Sequence, residues 1–124
     1  MIVYGAFGGR IDHTLAAINT LMMYPHLDII MADEYSTMCY IGPGSTTVIP
    51  SALDDRDSCG LIPIGQKAAK VVTTGLLWNL SHDLPMEMGG LISTSNRMTD
   101  DEVQIETETP LIWCTTLKEL RSDL

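Results

Sequence analysis

Apolar and polar positions follow two rhythms along this chain, and the change between them falls near residues 31–36. The first part reads as strand, turn, helix, strand. Met1 to Phe7 (MIVYGAF) is a short apolar run of strand length, and Gly8, Gly9 and Arg10 make a turn after it. Asp12 stands where the N-cap of a following helix is expected. Leu15, Ile18, Leu21 and Met22 recur on one helical face, and Pro25 ends the helix. Leu27 to Met31 is a second apolar strand. Such a segment is half of a parallel α/β unit, whose ligands gather at the carboxyl ends of the strands, where Gly8 to Asp12 lies.

From Asp33 onward the rhythm is that of short strands broken by Gly, Pro and Asp. Strands are predicted at Ser36 to Ile41, Ser45 to Ile49, Cys59 to Ile64, Lys70 to Trp78, Gly90 to Thr94, Glu102 to Glu106 and Leu111 to Thr116. In the sixth of these, Val103 and Ile105 alternate with polar neighbours. Ser51 to Ser58 reads as a polar, acidic loop. Its Asp54, Asp55 and Asp57 lack the glycine and the downstream Glu of a calcium loop, so a solvated loop is expected. The series predicts an all-β sandwich or jelly roll. The fold class is therefore α+β overall: a jelly-roll-like β-sandwich preceded by a strand–helix–strand segment.

Length and charge narrow the partners. A chain of 124 residues is one domain, or one small domain with a fragment of another. A formal charge of −9 repels phosphate backbones and excludes nucleic acid as the expected partner. It suits a cationic small molecule, or a metal bridging carboxylates to phosphate. Cys39, Cys59 and Cys114 are widely spaced and odd in number, so neither a zinc site nor a disulfide framework is expected. A reducing, cytoplasmic setting fits this usage. No apolar run reaches membrane-spanning length, no membrane partner is expected, and no signal-like segment precedes the first strand. That strand starts at Met1, as though the chain opened in the middle of a fold.

Three stretches carry candidate chemistry. In Val71 to Leu80 (VVTTGLLWNL), a β-branched strand meets Gly75, which permits a bulge or close approach, and Trp78 follows. Trp78 reads either as a core residue or as an indole turned outward to present its face. In Gly8 to Asp12, two glycines let backbone N–H groups approach an anion, Arg10 can fork onto a phosphate, and Asp12 can hold Mg2+ or a hydroxyl. The same residues read equally as a plain turn with a cap and a surface ion pair. His13 in the first helical turn reads as an exposed polar residue. In Ser93 to Asn96 (STSN), small polar side chains can serve a polar heterocycle or simply make a loop. Trp113, between Ile112 and Cys114, is expected in the core.

Taken in order, GGRIDHTLAAINTL, CGLIPIG, TTGLLWNL, LISTSN and PLIW resemble thiamine pyrophosphokinase of the eukaryotic type over about residues 3–115. The resemblance implies an N-terminal α/β domain that binds ATP and Mg2+, and a C-terminal β-sandwich that helps bind thiamine. It also implies a homodimer with the thiamine site at the subunit interface. On it, residues 1–34 are the remnant of the α/β ATP-binding domain, 35–117 the thiamine-binding sandwich, and 118–124 a tail. Arg10 and Asp12 match catalytic residues, Asp12 also as a metal ligand, with Gly8 and Gly9 on the nucleotide side. Trp78 matches a thiamine-stacking residue and Ser93 a thiamine contact, with Asn96 and His13 as further thiamine-binding candidates. The family's acidic first half, with its GDxDS-type motif, is not in this sequence, so the 124 residues alone are expected to be inactive. A non-catalytic thiamine-binding or dimerisation module, or a sandwich whose motifs are only structural, are the alternatives.

Overall fold

The computed structural model describes residues 1–65, 68 and 70–118. It is mostly β, with one helix and two sheets. The elements are β1 (Ile2–Tyr4), α1 (Ile11–Met23), β2 (Ile30–Ala32), β3 (Ser36–Ile41), β4 (Gly44–Val48), β5 (Asp54–Ile62), β6 (Val71–Thr74), β7 (Ser93–Asn96), β8 (Val103–Thr107) and β9 (Leu111–Leu117). A six-stranded sheet runs β1-β2-β3-β9-β5-β7, and a three-stranded sheet runs β4-β8-β6. β1 and β2 pair in parallel, with α1 as their crossover, and every other pairing is antiparallel. Because β2 hydrogen-bonds to β3, the large sheet continues without a break from the first segment into the rest.

The near-continuous apolar run of β9 has a physical reason: the large sheet is covered on both faces. Leu111 and Trp113 point inward and meet Ile41 and Leu61 of the same sheet and Val71, Val103 and Ile105 of the small one. Ile112 points outward and, with Met31 and Met38, packs under Ala17 and Leu21 of α1. Alternation along a strand thus places one β9 residue in each of two cores. Val103 and Ile105 are both buried, as their spacing predicts.

Several boundaries differ from the expectation. Asp12 is not the N-cap. Arg10 holds that position with no side-chain cap bond, and Asp12 lies within the first turn. The helix's covered stripe is Ala17 and Leu21, while Leu15 remains 61% exposed beside Ile11. Ala17 and Leu21 pack with Met31, Met38 and Ile112, and the Ile11–Leu15 stripe is left outside. The expected acidic loop is largely strand, since β5 begins at Asp54. Its carboxylates are absorbed locally: Asp54 accepts from the Ser51 N–H at 2.8 Å and the Thr115 hydroxyl at 3.1 Å, and Asp55 accepts from the Asp57 N–H at 2.9 Å. A register shift between Asp55 and Cys59 takes up the extra residues. The strand expected at Gly90 to Thr94 starts only at Ser93, because Gly90 turns back to bond the Glu87 carbonyl at 3.0 Å. Of the expected tail, residues 119–124 lie outside the described residues.

The three cysteines are free. Burial pushes the Cys39 thiol up to about 12, with the neighbouring Cys114 adding to it, and burial raises Cys59 and Cys114 to about 11. Protonated thiols in the core are packing groups and poor nucleophiles at neutral pH. No helix among the described residues is long and apolar enough to cross a membrane.

β6 ends at Thr74, and only a glycine fits the position after it. Gly75 has φ +87, and a Cβ there would collide with the Glu102 carbonyl oxygen on the approach to β8. The Gly75→Ala variant is therefore expected to lose more than about 1 kcal/mol of stability, read as a lower urea midpoint. An unchanged midpoint contradicts the close approach.

Candidate functional site

The segment after Gly75 carries Trp78 outward. Its backbone is tied at many points, so its course is set by hydrogen bonds rather than by burial of the indole. The Leu77 N–H bonds the Arg97 carbonyl at 2.9 Å, and the Thr99 N–H bonds the Gly75 carbonyl at 2.8 Å. Asn79 Oδ1 accepts from the Leu76 N–H and from the Thr73 hydroxyl, both at 3.1 Å. Thr73 Oγ1 in turn accepts from the Leu80 N–H at 2.8 Å. Leu76 and Leu80 enter the core on either side. Between them Trp78 is 59% exposed, whereas Trp113 is 3% exposed in the core. Of the two readings of Trp78, the outward one describes this fold.

Asn96, at the end of β7, holds Trp78 from behind. Its Oδ1 accepts from the Trp78 N–H at 3.1 Å and the Arg97 N–H at 2.9 Å. Its Nδ2 donates to the Trp78 carbonyl at 2.9 Å and to Ser93 Oγ at 3.0 Å. The amide is 3% exposed and all four of its hydrogen-bonding positions are used inside the protein. A direct ligand contact by Asn96, as the sequence suggests, would have to break one of these bonds. Ser93 is buried but lines a cavity of about 220 Å3 with Trp78, Leu84, Leu91 and Thr94. The polar run reads as a loop in sequence because nothing in STSN announces a strand. It pairs with β5 all the same, and Ser95 takes φ 54 within it.

The glycine turn is a separate constellation. Gly8 and Gly9 have φ +92 and +71, so both lie in the region that favours glycine. The Gly8 N–H is committed to Thr14 Oγ1 at 3.1 Å, and Thr14 also reaches back to the Arg10 carbonyl at 3.4 Å. Arg10 grips Asp12 through two bonds, Nε to Oδ1 at 3.1 Å and Nη2 to Oδ2 at 2.6 Å, with both side chains exposed. A Cβ at Gly8 would stand 2.8 Å from Asp33 Oδ2. Asp33 Oδ1 accepts the N–H groups of Tyr35 and Ser36, both at 2.8 Å. Thr14 thus braces the turn and the Asp33 side chain lies against it, and sequence reasoning missed both. A threonine one helical turn into α1 was the readable signal.

The structure brings Trp78, Ser93 and Asn96 together and keeps Gly8, Gly9, Arg10 and Asp12 in one turn. His13 belongs to neither group. It lines a groove of about 420 Å3 with Val3, Ala6, Ala17 and Met31. None of the cavities described among these residues is lined by both the indole and the glycine turn. The described residues contain no group of three His, Cys, Asp or Glu side chains placed to hold a metal.

An exposed indole over a small cavity, on a frame of two packed sheets, is the construction of a small-molecule binding domain. Residues 46–112 match the family model described as "Thiamin pyrophosphokinase, vitamin B1 binding domain". That is more than half of the chain, and the chain belongs to this family. The chain is 37% identical over 119 residues to "Thiamine pyrophosphokinase 1" of Oryza sativa subsp. japonica, covering 95% of this chain and 45% of that protein. It is 36% identical over 122 residues to "Thiamine pyrophosphokinase 1" of Arabidopsis thaliana, covering 96% and 45%. The chain therefore spans less than half the length of these curated relatives. Among solved structures, thiamin pyrophosphokinase from Candida albicans superposes with a TM-score of 0.85 at 21% identity, over 94% of this chain and 43% of that one. The Geobacillus thermodenitrificans protein gives 0.80 at 22% identity, over 99% and 55%. These two likenesses show the fold.

Acrylamide quenching of the two tryptophans should resolve one accessible and one inaccessible emitter. The Trp78→Phe variant should retain only the inaccessible one. Two inaccessible populations in the wild type would contradict the placement of the indole.

Proposed function

We propose that this chain is the thiamine-binding part of a thiamine diphosphokinase. The reaction transfers a pyrophosphoryl group from ATP to the hydroxyl of thiamine. The hydroxyl oxygen bonds to the β-phosphorus, the bond from that phosphorus to the α,β-bridging oxygen breaks, AMP leaves with that oxygen, and the hydroxyl proton is released. The observation that carries the reading is Trp78, held outward by its backbone over the Ser93 cavity in a chain of this family. Thiamine has a fixed cationic ring beside a polar heterocycle. An indole face contributes about 0.5–2 kcal/mol to a cation, and the formal charge of −9 favours its approach. A non-catalytic module would share this pocket, and the relatives' names favour the kinase.

On this reading residues 1–34 belong to an α/β ATP-binding domain, and 35–117 form a jelly-roll-like thiamine-binding sandwich. Two copies assemble with the thiamine site at their seam, in the cytoplasm. The exposed Leu84 and Leu91 that rim the Trp78 cavity support such a seam. It would let the glycine turn of one copy complete the pocket of the other, since one copy does not bring the two together.

Arg10 would neutralise phosphate charge, and the unpaired N–H groups of the first turn of α1 would add to it. Phosphoryl-type transfer depends chiefly on such placement and charge neutralisation. ATP is expected with Mg2+, but the residues described do not fit a metal by themselves. Asp12 is one carboxylate with both oxygens held by Arg10.

Titration of thiamine into the chain, followed by indole fluorescence, tests the reading. The wild type should quench to saturation, and Trp78→Ala should weaken binding at least tenfold with its fold intact by circular dichroism. Equal affinity in the two proteins contradicts the stacking role.

A further inference from the structure

β1 and β2 leave the large sheet side by side at their carboxyl ends, where the Gly5 N–H bonds the Ala32 carbonyl at 2.9 Å. The glycine turn follows β1 there, and Asp33 is the first residue after β2. The two oxygens of Asp33 have different fates. Oδ1 accepts the N–H groups of Tyr35 and Ser36, which ties the side chain to the turn leading into β3. Oδ2 accepts no hydrogen bond among the described residues, and it stands 2.8 Å from where a Cβ on Gly8 would be. An open acceptor therefore lies against the glycine turn. Asp33 also lines a cavity of about 490 Å3 with Tyr4, Glu34, Tyr35 and Lys118, and both tyrosines are exposed. A carboxylate at this place repels phosphate and is satisfied only by hydrogen-bond donors. The donors a nucleotide carries close to its phosphates are its ribose hydroxyls. In strand–turn–helix–strand units that bind nucleotides, an acidic side chain beyond the second strand takes such a hydroxyl.

We infer that Asp33 selects the sugar of the nucleotide: Oδ2 accepts a ribose hydroxyl when the phosphates lie at Gly8 to Arg10, and the base enters the cavity lined by Tyr4 and Tyr35. This rests on the proposal that residues 1–34 bind ATP, and deepens it by requiring a ribonucleotide. A hydrogen bond to a charged acceptor is among the stronger ones, and removing the hydroxyl leaves the carboxylate unpaired beside the phosphates. Sites built to hydrogen-bond a hydroxyl reject the analogue that lacks it.

The test is calorimetric titration of the 124-residue chain, in buffer containing Mg2+, with ATP, 2′-deoxy-ATP and 3′-deoxy-ATP. The wild type should bind at least one deoxy form tenfold or more weakly than ATP. Asp33→Asn keeps an oxygen for the Tyr35 and Ser36 N–H groups and replaces Oδ2 by an NH2. It should bind ATP and that deoxy form within threefold of each other. In case Asp33→Asn does not fold, the backbone amides of Tyr35 and Ser36 provide a second reading in the wild type by nitrogen-15 NMR. ATP should shift both, because their partner is the carboxylate that receives the hydroxyl. Inorganic triphosphate should shift Gly8 and Gly9 and leave Tyr35 and Ser36 in place. Equal binding of the three nucleotides to the wild type overturns the role of Asp33. So does a discrimination that survives in folded Asp33→Asn, the result expected of a carboxylate that only holds a metal or the turn. Tyr35 and Ser36 amides that answer triphosphate as they answer ATP overturn it as well. Absence of any ATP binding by the wild type overturns the ATP reading of residues 1–34, and the role of Asp33 with it, and leaves the thiamine reading of Trp78 to its own test.

Discussion

A buried amide in a protein interior must have its hydrogen bonds made, because leaving them open costs about 1–3 kcal/mol per group. Asn96 meets that demand by gripping both backbone polar groups of one residue, Trp78. The rest of the candidate pocket follows from that grip. With its N–H and carbonyl held inward, the backbone of Trp78 is fixed and the indole is left outside. Asn79 and Thr73 close the segment from the other side, and Gly75 lets the chain pass close enough to β8 for the closure to occur. An apolar side chain of this size normally gains more by entering the core than by remaining in water. Here the core is already filled by Trp113, Leu76, Leu80 and Met86.

Much of the frame was legible because strand alternation is a local signal. Ser36 to Ile41 and the buried Val103 and Ile105 appear where their spacing places them, and Trp113 is in the core as its apolar neighbours indicate. The exposure of Trp78 was not decidable, since VVTTGLLWNL fits a core strand as well as a strand that stops. The strand stops where Gly75 takes a positive φ beside the Glu102 carbonyl, 27 positions along the chain, and an approach at that distance leaves no local mark. Asn96 reads in sequence only as a candidate ligand contact, and its grip on Trp78 was illegible: a polar run announces hydrogen bonds but not their partners. The acidic stretch at Asp54 to Asp57 misleads for a related reason. Its carboxylates satisfy nearby N–H groups and a threonine, which lets an apparently solvated loop run as a bulged strand.

The two constellations differ in character. The glycine turn is exposed, braced by Thr14, and its charged pair is mutually neutralised at the surface, where such a pair contributes little to stability. On the proposed reading, Arg10 would trade its carboxylate partner for a phosphate. The Trp78 pocket is the opposite: the Asn96 amide beneath it is buried with its bonds satisfied, and the indole face above is exposed. A rigid floor suits recognition, and an exchangeable pair suits charge that arrives and leaves with a substrate.

The direct test is a crystal structure of the chain soaked with thiamine. The account predicts an aromatic ring of the ligand stacked on Trp78, with the Asn96 bonds unchanged. Thiamine bound elsewhere, or an indole walled in by the chain's own side chains, would contradict it.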